Sequence, residues 1–284
     1  MDLASVASLV RAANEKNVTM GRAALLEQVS QDGEREEDLV EKMRGALRVM
    51  DESVKQGLDP STRSMSGLTG GQASKLMRLA DSGASAGGAA LTRAGAYALA
   101  VAELNAAMGR IVAAPTAGAC GILPAALTQA RENYGSDDGE LVEALFCAAG
   151  VGAVIAHRAT ISGAEGGCQA ECGAAAAMAA AALAQLRGGN PAACSRAAGF
   201  ALMNLMGLVC DPVKGLVEIP CVYRNVMGVA AAMTSADLAL SGARLPLDTD
   251  DIIDAMGRVG RMLPSALRET GRGGCAMCPV KCED

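Results

Sequence analysis

Apolar positions recur at helical spacing from the first residues of the chain. Leu3, Val6, Leu9 and Val10 fall on one side of a helix in MDLASVASLVRAANEKN, and Leu39, Val40, Met43, Leu47, Met50 and Val54 return at three- and four-residue steps after the acidic start EREED. This pattern predicts a helical arm over residues 1–60 whose apolar face packs against something else. The stretch DPSTRSMSGLTGGQASKLMRLADSGASAGGAA is dense in Gly, Ser and Pro, and places a boundary near residue 60. From about residue 85, helical windows alternate with four short breaks, AAPTAGACGILP, ISGAEGGCQAECG, CDPVKGLVEIPC and RETGRGGCAMCP. Residues 61–284 are therefore expected to form one helical domain with a Cys-rich tail. The most apolar windows, 141–156 and 173–183, are rich in Ala and Gly. The first contains Glu143 and runs into His157 and Arg158, so both read as buried helices rather than membrane spans.

Composition sharpens the fold class. Hydrophobic residues make up 51% of the 284, yet there are only two Phe, three Tyr and no Trp, against 34 Gly. Strands draw on β-branched and aromatic residues, whereas small side chains let helices approach closely, so the expected fold is all-α. Twenty-five basic and 31 acidic residues give a net charge of -6. Without a basic run or rings for base stacking, nucleic acid is not an expected partner. The N-terminus has neither the basic start nor the apolar stretch of a signal peptide, and a cytoplasmic location without membrane attachment is expected.

Ten cysteines in a reducing compartment favour metal or catalytic use over disulfides. The four breaks and the tail after them hold eight of these ten. Interhelical breaks carrying Cys, Thr, Ser and Gly can converge on one interior site. Cys168 stands at a helix start, where a thiolate is favoured, while Cys172 reads as a continuation of the small-residue face. Cys210 and Cys221 flank a Pro- and Gly-containing loop, which suits metal ligands and core cysteines equally. Cys147 and Cys194 read as packing residues, and Cys120 fits either role. Cys275, Cys278 and Cys282 crowd a polar tail that is able to bind metal, shuttle electrons or place a thiolate in an active site. SMSGLTGG and APTAGACG set Ser66, Thr69 and Thr116 among glycines, as in nests that hold a carboxylate, and make them candidates for binding a substrate. The sole histidine, His157, reads as a boundary residue rather than a base, and Lys75 as a solvated helix residue. No phosphate-binding loop is present.

Taken together, SMSGLTGGQASKL, NAAMGRIVAAPTAGACGILPAAL, ISGAEGGCQAECGAAAAMAAAAL and NLMGLVCDPVKGLVEIPCVYRNVMG resemble the α chain of bacterial iron-sulfur-dependent L-serine dehydratases over about residues 60–270. The resemblance implies a helical domain holding a [4Fe-4S] cluster by three cysteines, at the positions of Cys168, Cys210 and Cys221. It further implies Lewis-acid-assisted loss of water from L-serine, giving pyruvate and ammonia. The Ser-Ser-Ser-His-Thr motif of the family's β portion is missing, so the resemblance implies a separate β chain that carries the base, which stays unassigned here. In some relatives a tail cysteine reaches the open iron, and Cys282 is the candidate for that position. Two other functions fit parts of the pattern: a cluster-dependent cysteine desulfidase acting as a single chain, and a metal or thiol redox module centred on the tail.

Overall fold

In a computed structural model that describes residues 4–280, the chain forms twelve helices and, among the described residues, no strand. The segment expected to form an arm is three helices, α1 (Val6–Lys16), α2 (Met20–Asp32) and α3 (Glu36–Gly57). Each starts or stops where local chemistry requires. The Ser5 and Thr19 hydroxyls accept the amides of Ser8 and Arg22 at the starts of α1 and α2. Glu36, Glu37 and Asp38 meet the positive end of α3, and Asn17 and Gly33 close α1 and α2 in the left-handed conformation.

Val6, Leu9, Met20, Leu25, Leu47, Met50 and Val54 are buried in the same continuous core as the body of the protein. The face expected to pack is thus packed, with Val40 and Met43 half-buried at its edge and Leu3 outside the described residues. Polar contacts tie the arm to the far end of the chain. The carboxylate of Asp250, in α12 (Thr249–Met262), accepts the Val6 and Ala7 amides at 2.8 and 3.0 Å.

The Gly- and Ser-rich stretch after residue 59 contains a helix that its composition hides, α4 (Gln72–Asp81). QASKLMRLAD has no glycine or proline, and the buried Glu103 carboxylate accepts the Gln72 and Ala73 amides at its start. Glu103 belongs to α5 (Gly88–Ala106).

The centre of the molecule is α9 (Ala174–Leu186), whose residues from Ala174 to Ala184 are buried on every side. Around it pack α6 (Ile122–Tyr134), α7 (Asp138–Arg158), α10 (Pro191–Leu205) and α11 (Cys221–Leu240). Although α7 has the length and apolarity of a membrane span, Leu141, Leu145, Val151 and Ile155 along it are buried in the core. Alanine contributes little buried area per residue, so its value lies in close approach. Missing side chains extend the same device: a Cβ at Gly57 would collide with the carbonyl oxygen of Ala100 in α5, and one at Gly121 with that of Ala98. The remaining element, α8 (Gly163–Gly166), is a single turn in the break that precedes Cys168.

Candidate metal centre

Three turns and the tail segment meet at one end of α9. The first turn is 114–121, the second runs from α8 to Cys168, and the third spans 206–221. Buried amides stitch them together. Asn225, 1% exposed in the first turn and a half of α11, donates to the carbonyls of Gly118 and Cys221 and accepts the Gly121 amide, each at 2.8–2.9 Å. Gln169, fully buried, donates to the Gly166 carbonyl at 2.8 Å and accepts the Gly207 amide at 2.9 Å, joining the second turn to the third. The tail closes the arrangement: the Cys210 amide donates to Leu267, and the Glu269 amide donates to the Cys210 carbonyl, at 2.9 and 2.7 Å.

These turns carry Cys168, Cys210 and Cys221, all free and all buried. Gly167 gives Cys168 its position, because its φ of 77° belongs to the left-handed half of conformational space and a Cβ there would lie 2.7 Å from the Leu208 carbonyl oxygen. After Cys168 the chain makes a π-helical turn over Gln169–Gly173 before α9 begins, a local irregularity common at functional sites. Cys221 opens α11, and Arg224 lies three residues on, on the same face.

The thiols lie close enough to act on one another's ionisation. The Cys172 thiol donates to the sulfur of Cys168, and this contact, with the nearby Arg224 guanidinium, holds the Cys168 thiol below its ordinary value. Burial pushes Cys221 up to about 12, helped by Cys168 and Glu171 and opposed by Arg224. Cys210 is raised well above the ordinary thiol value by burial and by Glu171, Glu269 and the other two cysteines. Among the described residues, no three His, Cys, Asp or Glu side chains stand close enough to enclose a single metal ion. The three cysteines are thus neighbours that do not converge on one point.

Several functional groups carry no signal in a reading that follows cysteines. Glu171, between Cys168 and Cys172, accepts the Thr116 hydroxyl on Oε1 at 2.6 Å. Its Oε2 points toward Gly163, where a Cβ would stand 2.6 Å from that oxygen and 3.1 Å from the Cys210 sulfur. Burial raises the Glu171 carboxyl, with Glu269 adding to the shift and Thr116 and Arg224 opposing it. Asp211 accepts Arg224 at 2.8 Å and the Cys275 amide at 2.6 Å, so the tail docks beside Cys210.

Ser66 and Thr69 grip a carboxylate, but it is the protein's own: their hydroxyls donate to Glu218 at 2.5 and 2.6 Å. Thr116 is likewise engaged on Glu171. Cys275 is half-buried, Cys278 is exposed, and Cys282 lies outside the described residues. Cys147 and Cys194 are buried together, with the Cys147 thiol raised by its hydrogen bond to Cys194 and by burial. His157 and Lys75 are exposed.

Comparison with known proteins agrees along nearly the whole chain. The family model described as "Serine dehydratase alpha chain" matches residues 4–276. The chain is 43% identical over 276 residues to the "Probable L-serine dehydratase, alpha chain" of Bacillus subtilis (strain 168), covering 97% of this chain and 92% of that protein. It is 42% identical to the "L-serine dehydratase, alpha chain" of Peptoniphilus asaccharolyticus, covering 94% and 92% of the two. The "L-serine dehydratase TdcG" of Escherichia coli (strain K12) is 45% identical over 183 residues, 64% of this chain but only 40% of that longer one. The chain belongs to the serine dehydratase alpha chain family.

Proposed function

We propose that this chain is the α subunit of an iron-sulfur-dependent L-serine dehydratase, a lyase that converts L-serine to pyruvate and ammonia, with Cys168, Cys210 and Cys221 as protein ligands of a [4Fe-4S] cluster. The observation that carries this reading is the delivery of three buried, mutually interacting thiols by separate turns to one end of a core of small side chains. The donor set suits the group. A four-iron cube is broader than one ion, so neighbouring thiols that do not meet at a point fit it better than they fit zinc. The bare Cα of Gly163 lets Cys210 and Glu171 pack closely beside it, and Arg224 supplies positive charge where thiolates must form. Three protein ligands would leave one iron of such a cluster without a protein ligand. When bound, the cluster supplies a Lewis acid for the departing hydroxyl.

The chain's own residues prepare that event. Arg224, fixed by Asp211 and by the Val209 carbonyl at 2.6 Å, favours the anionic form of Cys168. The buried alanines of α9 lie behind the site and keep its surroundings of low polarity, so charges there are less screened than in water. Removal of the α-proton needs a base, and the chain's one histidine is exposed on α7. A separate β chain is proposed to bring the base. Support comes from the "alpha chain" relatives, and from the longer Escherichia coli protein, of which the matching part is 40%. Cys282 is proposed as the tail residue that would supply a further, displaceable thiolate to the cluster. The free state of the described cysteines suits a cytoplasmic enzyme.

The test is anaerobic purification with iron and sulfide, followed by iron analysis, visible absorbance, and a pyruvate assay with and without the β chain. The expected result is about four irons per chain, lost on replacing Cys168, Cys210 or Cys221 by Ala and retained in Cys147→Ala. Serine-dependent pyruvate should require both chains. A protein that binds no iron under these conditions would overturn the ligand assignment.

A further inference from the structure

The amino group of an amino-acid substrate is a cation that must be recognised close to the reacting carbon. In L-serine the ammonium nitrogen and the departing hydroxyl sit on adjacent carbons. Whatever holds the nitrogen therefore stands beside the group that takes the hydroxyl. On the reading above, that place adjoins Cys168, Cys210 and Cys221.

Among the described residues, the charged groups acting on this place are Glu171, Glu269 and Arg224. Arg224 is committed to Asp211, to the Val209 carbonyl and to Cys168. Glu171 has no cation hydrogen-bonded to it. Thr116 fixes its Oε1, and Oε2 takes no hydrogen bond from any described residue. That unpaired oxygen lies packed against the bare Cα of Gly163 and beside the Cys210 sulfur, so closely that a side chain larger than hydrogen at Gly163 would intrude on both. Gly118 is bare in the same way on the other flank, since a Cβ there would stand 3.1 Å from Oε1. A carboxylate anchored by one oxygen, with the other unpaired beside a ligand thiol, is a ready counter-ion for a small cation.

We propose that the carboxylate of Glu171 is the counter-ion of the substrate's ammonium group, with Thr116 as the residue that positions it. The assignment rests on the dehydratase reading and deepens it. It predicts that a hydroxy acid lacking the amino group binds less well than serine, because such a molecule leaves Glu171 desolvated and unpaired. It also gives Thr116, which stands among glycines as a carboxylate holder would, an internal carboxylate to hold.

The test uses the reconstituted complex of this chain with its β chain. Glu171→Gln, Thr116→Val and the unaltered complex are compared for iron content, and for the change in cluster absorbance on titration with L-serine or with 3-hydroxypropanoate, which has the hydroxyl and carboxylate but no ammonium. Glu171→Gln should weaken serine binding about 10- to 100-fold, the loss of one charge-assisted contact. Iron content should stay unchanged, and 3-hydroxypropanoate binding should not weaken. Thr116→Val should weaken serine binding about threefold to tenfold, and KM should rise more than kcat falls in both variants. Equal weakening of both ligands, loss of iron, or a fall in kcat at unchanged serine affinity would overturn the assignment, the last by making Glu171 a proton-transfer group. If Glu171→Gln does not fold, the same titrations on Glu171→Asp decide by the same criteria. Failure of the unaltered complex to bind iron or respond to serine overturns the dehydratase reading together with this one, whereas normal unaltered behaviour with an unaffected Glu171→Gln overturns this one alone.

Discussion

Glu218 is 3% exposed, and it reaches that depth because three hydroxyl groups and a backbone amide surround it. Burial alone would raise its carboxyl, but donors from Ser64, Ser66 and Thr69 prevail and hold it below 4.5, its ordinary value. The folded state therefore binds the proton less readily than the unfolded state. Its contribution to stability is complete above pH 4.5 and is lost as the pH falls through the lower folded value. Glu218→Gln should destabilise the protein at neutral pH by about 1.5–3 kcal/mol, the worth of hydrogen bonds to a charged group. The gap between the two proteins should close as denaturation is repeated at successively lower pH below 4.5. A gap that stays constant would mean that shape, not charge, holds this loop. The Ser66 and Thr69 hydroxyls were legible in the sequence as carboxylate holders, because hydroxyls among glycines advertise that chemistry. Their partner was not, since Glu218 lies 152 and 149 residues away and only the fold brings it there. Glu171, Asp211 and Arg224 were hidden differently: each sits inside or beside a cysteine motif, where attention to thiols passes over the charges that tune them.

Among the elements, legibility followed amphipathicity. Helices α1 and α3 have a polar side, so their apolar residues recur visibly, and Leu47, Met50 and Val54 point where the spacing says. Helix α9 has no polar side to give contrast, and its Ala run reveals burial without orientation. Helix α4 was obscured by the Gly- and Ser-rich segments on either side, because the Glu103 carboxylate that caps it comes from the next helix. What positions the helices against each other is the absence of side chains at particular points. Gly57 ends α3 against the backbone of α5, so a methyl group there forces the two helices apart. Gly57→Ala should destabilise by about 1–3 kcal/mol through overpacking. Gly45, in the middle of the same helix, meets nothing nearer than 3.7 Å, from the end of the Arg48 side chain. Gly45→Ala should therefore stabilise by about 0.5–1 kcal/mol, the intrinsic helix preference alone. Thermal melts of the two variants check both signs, and equal effects would show that close approach does not set the spacing of α3 and α5.

Across the whole molecule, the cysteine site is where segments remote in sequence meet, and Asp211 is the residue that closes the last of those contacts. Its carboxylate takes the Arg224 guanidinium on one oxygen and, on the other, the amide of Cys275, 64 residues further along the chain. Arg224 is only 17% exposed and Asp211 3%, so this is a largely buried pair. Removing one partner from such a pair leaves the other charge uncompensated, at a cost of about 3–5 kcal/mol, far above that of an exposed ion pair. Asp211→Ala should accordingly lower stability by that order and release the tail around Cys275. It should also loosen Arg224 beside Cys168, whose thiol is held below its ordinary value by Cys172 first and by that guanidinium as well. Hydrogen exchange checks the coupling. Faster exchange should appear in residues 265–278 and around Cys210, where the Leu267 carbonyl and the Glu269 amide pair with that cysteine, while α9 stays protected. Arg224→Ala provides the counterpart, since it removes the cation but leaves Asp211 free to hold the Cys275 amide. Its exchange change should be confined to the Cys168 and Cys210 turns, with the tail still docked. If both variants release the tail equally, the guanidinium rather than the carboxylate is what joins the two ends of the site.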